Sequence, residues 1–503
     1  MDQPRNALNT RKPNQERRGD EEAARKGVGW RYGGMWMRFV AFSFSLLLLF
    51  VGAGLAGQPN VVLIVSDDQG YPDLGCLGMK PLITPNLDKL AAEGVRGTSF
   101  YVTWPACTPS RGSILTGRYP QRNGLYDMVR NDLVNYGHRY DAAEYAVSPE
   151  MTLGLDVREV TVGDMLRKAG YATGCVGKWD MGQARRFLPL QRGFDFFYGH
   201  GNNGIDYYTH ERYGVASLFR GNERTEEDKG TYVTEVFRRE ALRFVNEQAG
   251  RKPFFLYLPF NAPHGASSFG EGTEEGGKKV AEGVQAPEKY VAMYRGKVKE
   301  ERLARYCGAV TCMDEAIGAV LEAVEQAGQT ENTLVVFLSD NGGSGNGGNA
   351  PLRGQKSTMW EGGLRVPFIL RWPGGKVPAG KVTDEFITSL ELVPTLLAAT
   401  GAKGPEGVKL DGFNMLPVLR GEVKSPRREM FWQRRGDKAA RVENWKWVES
   451  GKGGGLFDLS TDLGEKKDLS GEKPEVVRMM RERFAEWRKE MDGSEARGPF
   501  RDY

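Results

Sequence analysis

Four short apolar runs, each followed at once by polar residues, constrain the fold of this chain more than any other feature. They occupy residues 60–66, 171–177, 254–260 and 333–339. Helical patterns separate them, at residues 87–93, 162–168, 234–248 and 302–326. Near-continuous apolar runs that alternate with helices are typical of parallel strands joined by helical crossovers. We therefore predict an α/β fold in which a large, mostly parallel central sheet lies between layers of helices.

Polar side chains gather where the predicted strands end. The clusters are, in chain order, Asp67-Asp68, Lys178, residues 261–264 and Asp340-Asn341. Open α/β sheets bind ligands outside the carboxyl ends of their strands, so these clusters are expected to meet at one site. The carboxylate and amide oxygens among them suit a hard divalent cation, calcium more readily than zinc. None of the four histidines has a paired zinc-ligand spacing.

The net positive charge of the chain, +4, lies near its N-terminus. Residues 1–57 carry nine of the 69 Lys and Arg residues and five of the 65 Asp and Glu residues, so the two signs balance in the rest of the 503-residue chain. Bulk charge therefore gives no reason to expect a nucleic-acid or membrane-surface partner. We expect no nucleic-acid binding.

An N-terminal segment has the layout of a secretory signal peptide. Arg31 and Arg38 precede an apolar run at residues 39–51, and small residues at 54–56 offer a cleavage site. The run is too short for a comfortable membrane span, so no stable span is expected, with an uncleaved anchor as the alternative. We expect an exported protein, periplasmic or secreted, whose mature chain begins at Gln58.

The pattern changes near residue 420, which sets the predicted domain boundary. Short aromatic runs follow at residues 430–433, 445–449 and 456–459, and residues 474–491 have helical periodicity. These features predict a small antiparallel sheet with one helix. The predicted division is an N-terminal extension with the signal peptide at 1–57, a catalytic domain at 58–420 and a small C-terminal α/β subdomain at 421–503.

Residues 107–111 read Cys-Thr-Pro-Ser-Arg and stand at a predicted helix start. Thr108 suits the N-cap and Pro109 the first helical position. Cys107 would then lie beside the positive end of the helix dipole, where free backbone N–H groups favour an anion. A lone cysteine is more often a small buried apolar residue, so this pentapeptide needs support from the rest of the chain.

Further motifs supply that support, all in one order along the chain. They are residues 66–70, 84–88, 115–120, 177–179, 262–264, 339–342, 353–356, 361–363 and 456–459. With the pentapeptide at 107–111, they make the chain resemble the type I sulfatases of the alkaline-phosphatase-like superfamily. The resemblance extends from Asn60 to about Leu469.

The resemblance implies a sulfuric ester hydrolase, arylsulfatase-like, in which a formylglycine-generating enzyme converts Cys107 to formylglycine. The hydrated aldehyde of that family offers one oxygen to attack sulfur. The implied ligands of one divalent cation, Ca2+, are Asp67, Asp68, Asp340, Asn341 and an oxygen of the modified Cys107. Arg111 would orient the formylglycine. The sulfate would be contacted by Lys178, His264 and Lys356.

Asp180 stands where the chain departs from the family pattern. Type I sulfatases usually continue Gly-Lys-Trp with His-Leu-Gly, whereas residues 177–182 read Gly-Lys-Trp-Asp-Met-Gly. The family histidine contacts the formylglycine hydroxyls. A carboxylate can accept the same proton, but it brings negative charge toward a sulfate. We expect either that Asp180 is a catalytic base in this chain or that its turnover is altered.

The resemblance also bears on the substrate. Residues 206–212 look like the segment that certain glycosaminoglycan and aryl sulfatases place near the substrate, so His210 is a candidate substrate-binding residue. We expect a sulfated small molecule, most specifically a sulfated carbohydrate. Two alternatives stay open, namely a phosphodiesterase or phosphonate hydrolase of the same superfamily, and a catalytically impaired protein that binds sulfated glycans with Cys107 unmodified.

Overall fold

The computed structural model of the chain describes residues 57–129, 141–212, 214–269, 280–281 and 283–498. The predicted signal peptide lies outside these residues, so export and cleavage stay predictions. Within the described ranges, no helix is both long enough and apolar enough to cross a membrane. None of the five cysteines, all of which lie in these ranges, forms a disulfide.

A ten-stranded mixed sheet forms the centre of the fold. From edge to edge its strands are β15 (Lys381–Thr383), β2 (Val95–Gly97), β14 (Phe368–Arg371), β13 (Thr333–Ser339), β1 (Asn60–Ser66), β10 (Phe254–Pro259), β4 (Ala172–Lys178), β5 (Phe196–His200), β8 (Leu218–Arg220) and β9 (Glu223–Arg224). The strands from β13 to β5 are parallel, and antiparallel pairs lie outside this group. The four strands predicted from the apolar runs are the neighbours β13, β1, β10 and β4, so the predicted α/β fold is confirmed.

Helices cover both faces of this sheet. In chain order they are α1 (Pro85–Ala92), α2 (Cys107–Thr116), α3 (Pro120–Asn123), α4 (Ala142–Ala146), α5 (Pro149–Thr152), α6 (Val162–Lys168), α7 (Val233–Gln248), α8 (Glu288–Val291), α9 (Glu301–Gln326), α10 (Glu361–Leu364), α11 (Leu392–Thr400), α12 (Leu416–Arg420) and α13 (Pro474–Asp492). Three short two-stranded pairs lie outside the central sheet: β3 (Phe100–Tyr101) with β16 (Ile387–Thr388), β6 (Glu211–Arg212) with β7 (Val215–Ala216), and β11 (Ser268–Phe269) with β12 (Val280–Ala281).

Alternation along β1 divides its side chains between two cores. Val62 and Ile64 belong to the core that includes side chains of α1, α7 and α9. Val61, Leu63 and Val65 belong to the core on the other face, with side chains of α2, α6 and α11. Successive side chains of a strand point to opposite faces, so a sheet that is buried on both faces needs an unbroken apolar run.

The C-terminal region forms a four-stranded antiparallel sheet covered by α13. Its strands are β17 (Glu429–Arg434), β18 (Asp437–Val442), β19 (Trp445–Glu449) and β20 (Gly455–Asp458). Phe484 and Trp487 of α13 belong to its apolar core. Trp432 Nε1 donates to the Val102 carbonyl at 2.7 Å, which ties this sheet to the rest of the chain. The predicted sheet and helix are confirmed, β18 was missed, and the boundary at residue 420 stays a prediction.

Candidate active site

Polar side chains that follow β1, β4 and β13 form one buried cluster at the carboxyl edge of the parallel strands. Asp68 N donates to Asp340 Oδ1 at 3.2 Å, and Asn341 Nδ2 donates to Asp68 Oδ1 at 2.8 Å. Lys178 Nζ donates to Asp67 Oδ2. No residue of this group is more than 2% exposed. The structure thus brings together the side chains that the sequence placed at strand ends.

Cys107 faces this cluster from the first residue of α2. Its Sγ lies 3.4 Å from Asp67 Oδ1 and 3.9 Å from Asp68 Oδ1. Burial, and then the charge of Asp67, raise the pKa of the thiol well above its usual value. Because the thiolate is the nucleophilic form of cysteine, an unmodified Cys107 is a poor nucleophile here.

The predicted N-cap of α2 was wrong. Ala106 is the N-cap and the helix begins at Cys107, so Thr108 and Pro109 are its second and third residues. The Thr108 hydroxyl donates instead to Asp180 Oδ1 at 2.9 Å. A tertiary partner has therefore taken the group that would have capped the helix. Cys107 still stands at the amino end of α2, as the sequence indicated.

Arg111 joins α2 to three strand ends. Its Nε and Nη2 lie 2.9 Å and 2.7 Å from Asp340 Oδ2, and Nη2 lies 3.6 Å from Asp67 Oδ1. Nη1 donates to the Lys178 carbonyl at 3.3 Å. The side chain is fully buried, and burial opposes its charge, but the two carboxylates outweigh burial and raise the pKa of Arg111. Arg111 is therefore a buried cation with a fixed position, about one helical turn after Cys107.

Lys356 reaches the cluster from the loop between β13 and α10. Its Nζ lies 2.8 Å from Asp68 Oδ1 and 3.3 Å from Cys107 Sγ. The loop is held by backbone hydrogen bonds from Lys356 N to the Gly343 carbonyl at 3.0 Å and from Ser357 N to the Pro105 carbonyl at 2.7 Å. Burial alone would lower the pKa of the Lys356 ammonium, but Asp68 and the other acidic neighbours together outweigh burial and raise the pKa.

His264 approaches Asp68 from the segment after β10. Its Nε2 lies 3.7 Å from Asp68 Oδ2, and its side chain is 16% exposed. Burial and the positive charge of Lys356 lower the pKa of the ring to about 3. The neutral ring has Nδ1 at 2.6 Å from the Gly265 carbonyl, so Nδ1 carries the hydrogen and Nε2 offers a lone pair toward the cluster.

Asp180 lies beside Lys178 in a left-handed backbone conformation, with φ of 54°. Its Oδ1 accepts the Thr108 hydroxyl, and its Oδ2 lies 3.6 Å from Lys178 Nζ. Among the described residues, Oδ2 has no hydrogen-bond partner. Burial raises the pKa of Asp180, although Lys178 and Arg111 oppose this. Thr108 was not predicted as a site residue, although it stands inside the motif at 107–111.

His210 is the one predicted site residue that the structure places away from the cluster, against Thr231. Its Nε2 contacts the Thr231 carbonyl at 2.8 Å, and the residue is 2% exposed. Burial lowers the pKa of the ring. The structure therefore holds His210 against the Thr231 backbone rather than in the cluster around Cys107.

The donors of the cluster fit a hard divalent cation. One ligand atom from each of Asp67, Asp68, Cys107 and His264 lies within 4.8 Å of the others. Asn341 Oδ1 is buried and has no hydrogen-bond partner among the described residues. A buried oxygen with no partner is costly unless something binds it. Carboxylate and amide oxygens of this kind favour calcium over softer metals.

A protein-family model described as Sulfatase matches residues 59–402. The chain belongs to the sulfatase family. A second model, described as N-sulphoglucosamine sulphohydrolase, C-terminal, matches residues 354–490. The predicted family is confirmed by a match that covers most of the central sheet and the whole Cys107 cluster.

Curated relatives are similar over most of their length. Arylsulfatase A of Homo sapiens is 32% identical, with 87% of this chain and 89% of the relative covered. N-acetylgalactosamine-6-sulfatase of Canis lupus familiaris is 33% identical, with 82% of this chain and 77% of the relative covered. Arylsulfatase J of Mus musculus is 30% identical, with 87% and 77% covered. The chain is therefore a sulfatase.

Solved structures show the same fold. Ps i-CgsB in complex with k-i-k-neocarrahexaose is 32% identical, with a TM-score of 0.73 and with 86% of this chain and 92% of that chain covered. PsFucS1 sulfatase from Pseudoalteromonas sp. is 26% identical, with a TM-score of 0.66 and with 90% and 94% covered. The predicted alkaline-phosphatase-like architecture is confirmed. These relatives do not favour the phosphodiesterase or the non-catalytic alternative.

Arg111→Met should lower the free energy of unfolding by about 3–5 kcal/mol, because it leaves buried carboxylates without their cation. Urea unfolding measures this change. The matched control is Arg167→Met, since Arg167 Nε lies 2.8 Å from Asp195 Oδ1 in a pair whose side chains are 55% and 41% exposed. That exposed pair should contribute about 0–1 kcal/mol. Equal costs for the two substitutions would contradict the structural role of Arg111.

Proposed function

We propose that this sulfatase hydrolyses sulfate esters of a carbohydrate, with a formylglycine derived from Cys107 and one bound Ca2+. The observation that carries the proposal is the position of Cys107 Sγ, 3.4 Å from Asp67 Oδ1 and 3.3 Å from Lys356 Nζ. The side chain of residue 107 therefore lies between a carboxylate that would bind the metal and a lysine that would bind the sulfate. A relative named for N-acetylgalactosamine 6-sulfate and a neighbour solved with neocarrahexaose support a carbohydrate substrate.

Asp67, Asp68, Asp340, Asn341 and an oxygen of the modified Cys107 would hold the cation. The partnerless Asn341 Oδ1 supports this ligand set. When present, the cation and the hydrated aldehyde would supply a nucleophilic oxygen of lowered pKa beside the sulfur. Arg111 would keep Asp340 and Asp67 in place from beneath, because it contacts both carboxylates.

The charge balance of the cluster supports a divalent cation. The carboxylates are Asp67, Asp68, Asp180 and Asp340, and the cationic side chains are Arg111, Lys178 and Lys356. The low pKa of His264 makes that ring neutral. With every carboxylate ionised, the cluster carries one excess negative charge. A divalent cation would turn this into one positive charge, which matches the single negative charge of a sulfate monoester.

Lys178, Lys356 and His264 would bind the sulfate. The two ammonium groups would stabilise the negative charge that builds up on the transferred group and on the leaving oxygen. His264 is neutral before substrate binds, with its lone pair at Nε2 facing Asp68. An anionic sulfate beside Nε2 would favour the protonated ring, which would then donate a hydrogen bond to a sulfate oxygen.

Asp180 would accept a proton at Oδ2. Three features support this role: Oδ2 has no hydrogen bond among the described residues, burial raises the pKa of the carboxyl, and Thr108 fixes the other oxygen. A base must be held in place and must keep one lone pair available. Asp180 would in this way replace the histidine that the family pattern has at the same position.

Residues 206–212, with His210, would form part of the substrate-binding wall. Tyr207 Oη donates to the carbonyls of Asn261 and His264 at 2.9 Å and 2.8 Å, so this segment packs on the loop that carries His264. His210 would act through the shape of the segment, because its Nε2 already contacts the Thr231 carbonyl. The remaining parts of the proposal are maturation by a formylglycine-generating enzyme and export to the periplasm or the medium.

Cys107→Ala should abolish hydrolysis of sulfated saccharides while the protein stays folded, because it removes the nucleophile and little of the core. The measurement is sulfate release from a panel of defined sulfated saccharides, with phosphate esters assayed alongside. The matched control is Cys175→Ala, since Cys175 is also fully buried but lies within β4. Near-normal turnover by Cys107→Ala would refute the formylglycine proposal, as would an unchanged cysteine mass for the residue-107 peptide of active wild type.

Removal of divalent cations should abolish activity, and Ca2+ should restore it. Ca2+ should also increase the free energy of unfolding, by about 2.7 kcal/mol at a concentration of 100 times Kd, and thermal unfolding measures this increase. Asp340→Ala should lose this stabilisation because it removes one ligand. Asp411→Ala is the control, since Asp411 is another buried carboxylate but pairs with Arg122. Full activity after the metal has demonstrably been stripped would contradict the cation proposal.

Asp180→Asn should lower kcat by about 100-fold to 10,000-fold, the usual cost of losing a general base. Asparagine tolerates the left-handed backbone of residue 180, so the variant should fold normally. The check is a pH–rate profile, in which the ascending limb that belongs to the base should disappear. A variant that keeps its rate within a few-fold of wild type, with an unchanged profile, would show that Asp180 only orients Lys178 and Thr108.

A further inference from the structure

The loop that carries Lys356 is closed at its base by a few contacts. Gly362 N donates to the Arg353 carbonyl at 2.7 Å, which joins the two ends of the loop. Arg353 also lies over the Trp360 ring, with its guanidinium carbon 3.7 Å from the ring centroid. Any movement of this base would move Lys356 relative to Cys107, because Lys356 is only three positions after Arg353 in the chain.

Side chains from the C-terminal region hold this base. Arg353 Nη1 donates to the Glu465 carbonyl at 2.9 Å, and Glu361 N donates to Glu465 Oε2 at 2.8 Å. Both ends of the loop therefore contact one residue, Glu465, which follows β20. The backbone of Glu465 is left-handed, with φ of 49°. A residue other than glycine keeps this conformation only when its surroundings hold it there.

Lys446 lies between the two carboxylates at this point. Its Nζ is 2.8 Å from Glu361 Oε1 and 3.6 Å from Glu465 Oε1. All three residues are 0% exposed. Tyr101 donates to Glu361 Oε2, and Arg365 lies 3.5 Å from the same oxygen. Lys446 belongs to β19, whose hydrogen bonds to β18 and β20 fix its backbone.

Glu361 and Glu465 are two buried carboxylates at the base of the same loop, and a cation between them offsets their repulsion. Burial raises the pKa of Glu465 to about 7, and Lys446 is the largest opposing influence. Without Lys446, mutual repulsion and desolvation would drive the carboxylates apart or protonate one of them. Either outcome would loosen the contacts that close the loop.

We propose that Lys446 is a positioning residue for catalysis, because it locks Glu361 and Glu465 against the base of the loop that holds Lys356 beside Cys107. This inference rests on the proposed function, in which Lys356 contacts the sulfate. It makes the C-terminal sheet part of the catalytic apparatus, although none of its own side chains needs to touch the substrate.

The first test measures the loop directly. Lys446→Met should increase hydrogen exchange of the backbone amides of residues 354–363. The control is Lys438→Met, which removes a lysine of the same sheet whose Nζ lies 3.1 Å from Glu449 Oε1 in a partly exposed pair, and which should leave this exchange unchanged. Unchanged exchange in Lys446→Met would overturn the proposal, whatever the substrate of the enzyme is.

The second test is a double-mutant cycle on sulfate ester hydrolysis. Lys446→Met should lower kcat/KM by about 10-fold to 100-fold, the scale expected when a catalytic group is misplaced by about 1 Å. In a Lys356→Met background the same change should cost less than about 3-fold, because the residue that Lys446 positions is already gone. Equal losses in the two backgrounds would overturn the proposal. A wild-type protein that does not hydrolyse sulfate esters would refute the proposed function, and the exchange experiment would still decide the role of Lys446.

Should Lys446→Met fail to fold, Glu465→Ala in the otherwise unchanged protein is the second variant. It leaves Lys446 paired with Glu361 at 2.8 Å, so no buried charge is left without a partner. It removes the oxygen that accepts the hydrogen bond from Glu361 N, and with it one of the two carboxylates through which Lys446 acts on the loop. Greater exchange of the loop amides and a loss of kcat/KM that depends on Lys356 are expected, and their absence would overturn the proposal.

Discussion

The buried pairing of Arg111 with Asp340 and Asp67 is the interaction on which the rest of the site depends. Cys107 and Arg111 are four residues apart on α2, so they share one face of the helix. Arg111 contacts residues at the ends of β13, β1 and β4. Fixing the guanidinium therefore fixes the rotation of the helix, and with it the direction of residue 107. The helix is buried along its whole length, which leaves it no other position.

Two buried lysines also hold the structure around the site in one arrangement. Lys178 and Lys446 are 0% exposed, and each contacts two carboxylates. A buried charge is tolerated only when its partners are well placed, so each lysine is bound to one geometry. In this sulfatase one of them lies at the strand ends and the other lies behind the loop that completes the site.

The sequence revealed the parts of this structure that depend on local pattern. The central parallel strands β13, β1 and β10 are nearly continuous apolar runs because both of their faces are buried, and the site residues follow them directly. Features that depend on distant partners were not visible. The Thr108 hydroxyl donates to Asp180 and does not cap the helix, and Asp180 is 72 positions away along the chain. β18 has the sequence Asp-Lys-Ala-Ala-Arg-Val, which carries no strand signal of its own. Lys446, between two tryptophans, reads as an ordinary outward-facing lysine until the sheet is assembled.

The anchoring of the Lys356 loop has a consequence for the order in which the site is built. A chain is synthesised from its N-terminus, so the strand ends and α2 exist before the C-terminal sheet does. Two of the partners of Glu361 arrive late, since Lys446 and Glu465 follow it by 85 and 104 residues. A nascent chain can therefore assemble its acidic cluster around residue 107 while the base of the Lys356 loop still lacks its anchor. On the proposed role of Lys446, docking of the last sheet is the step that completes the site.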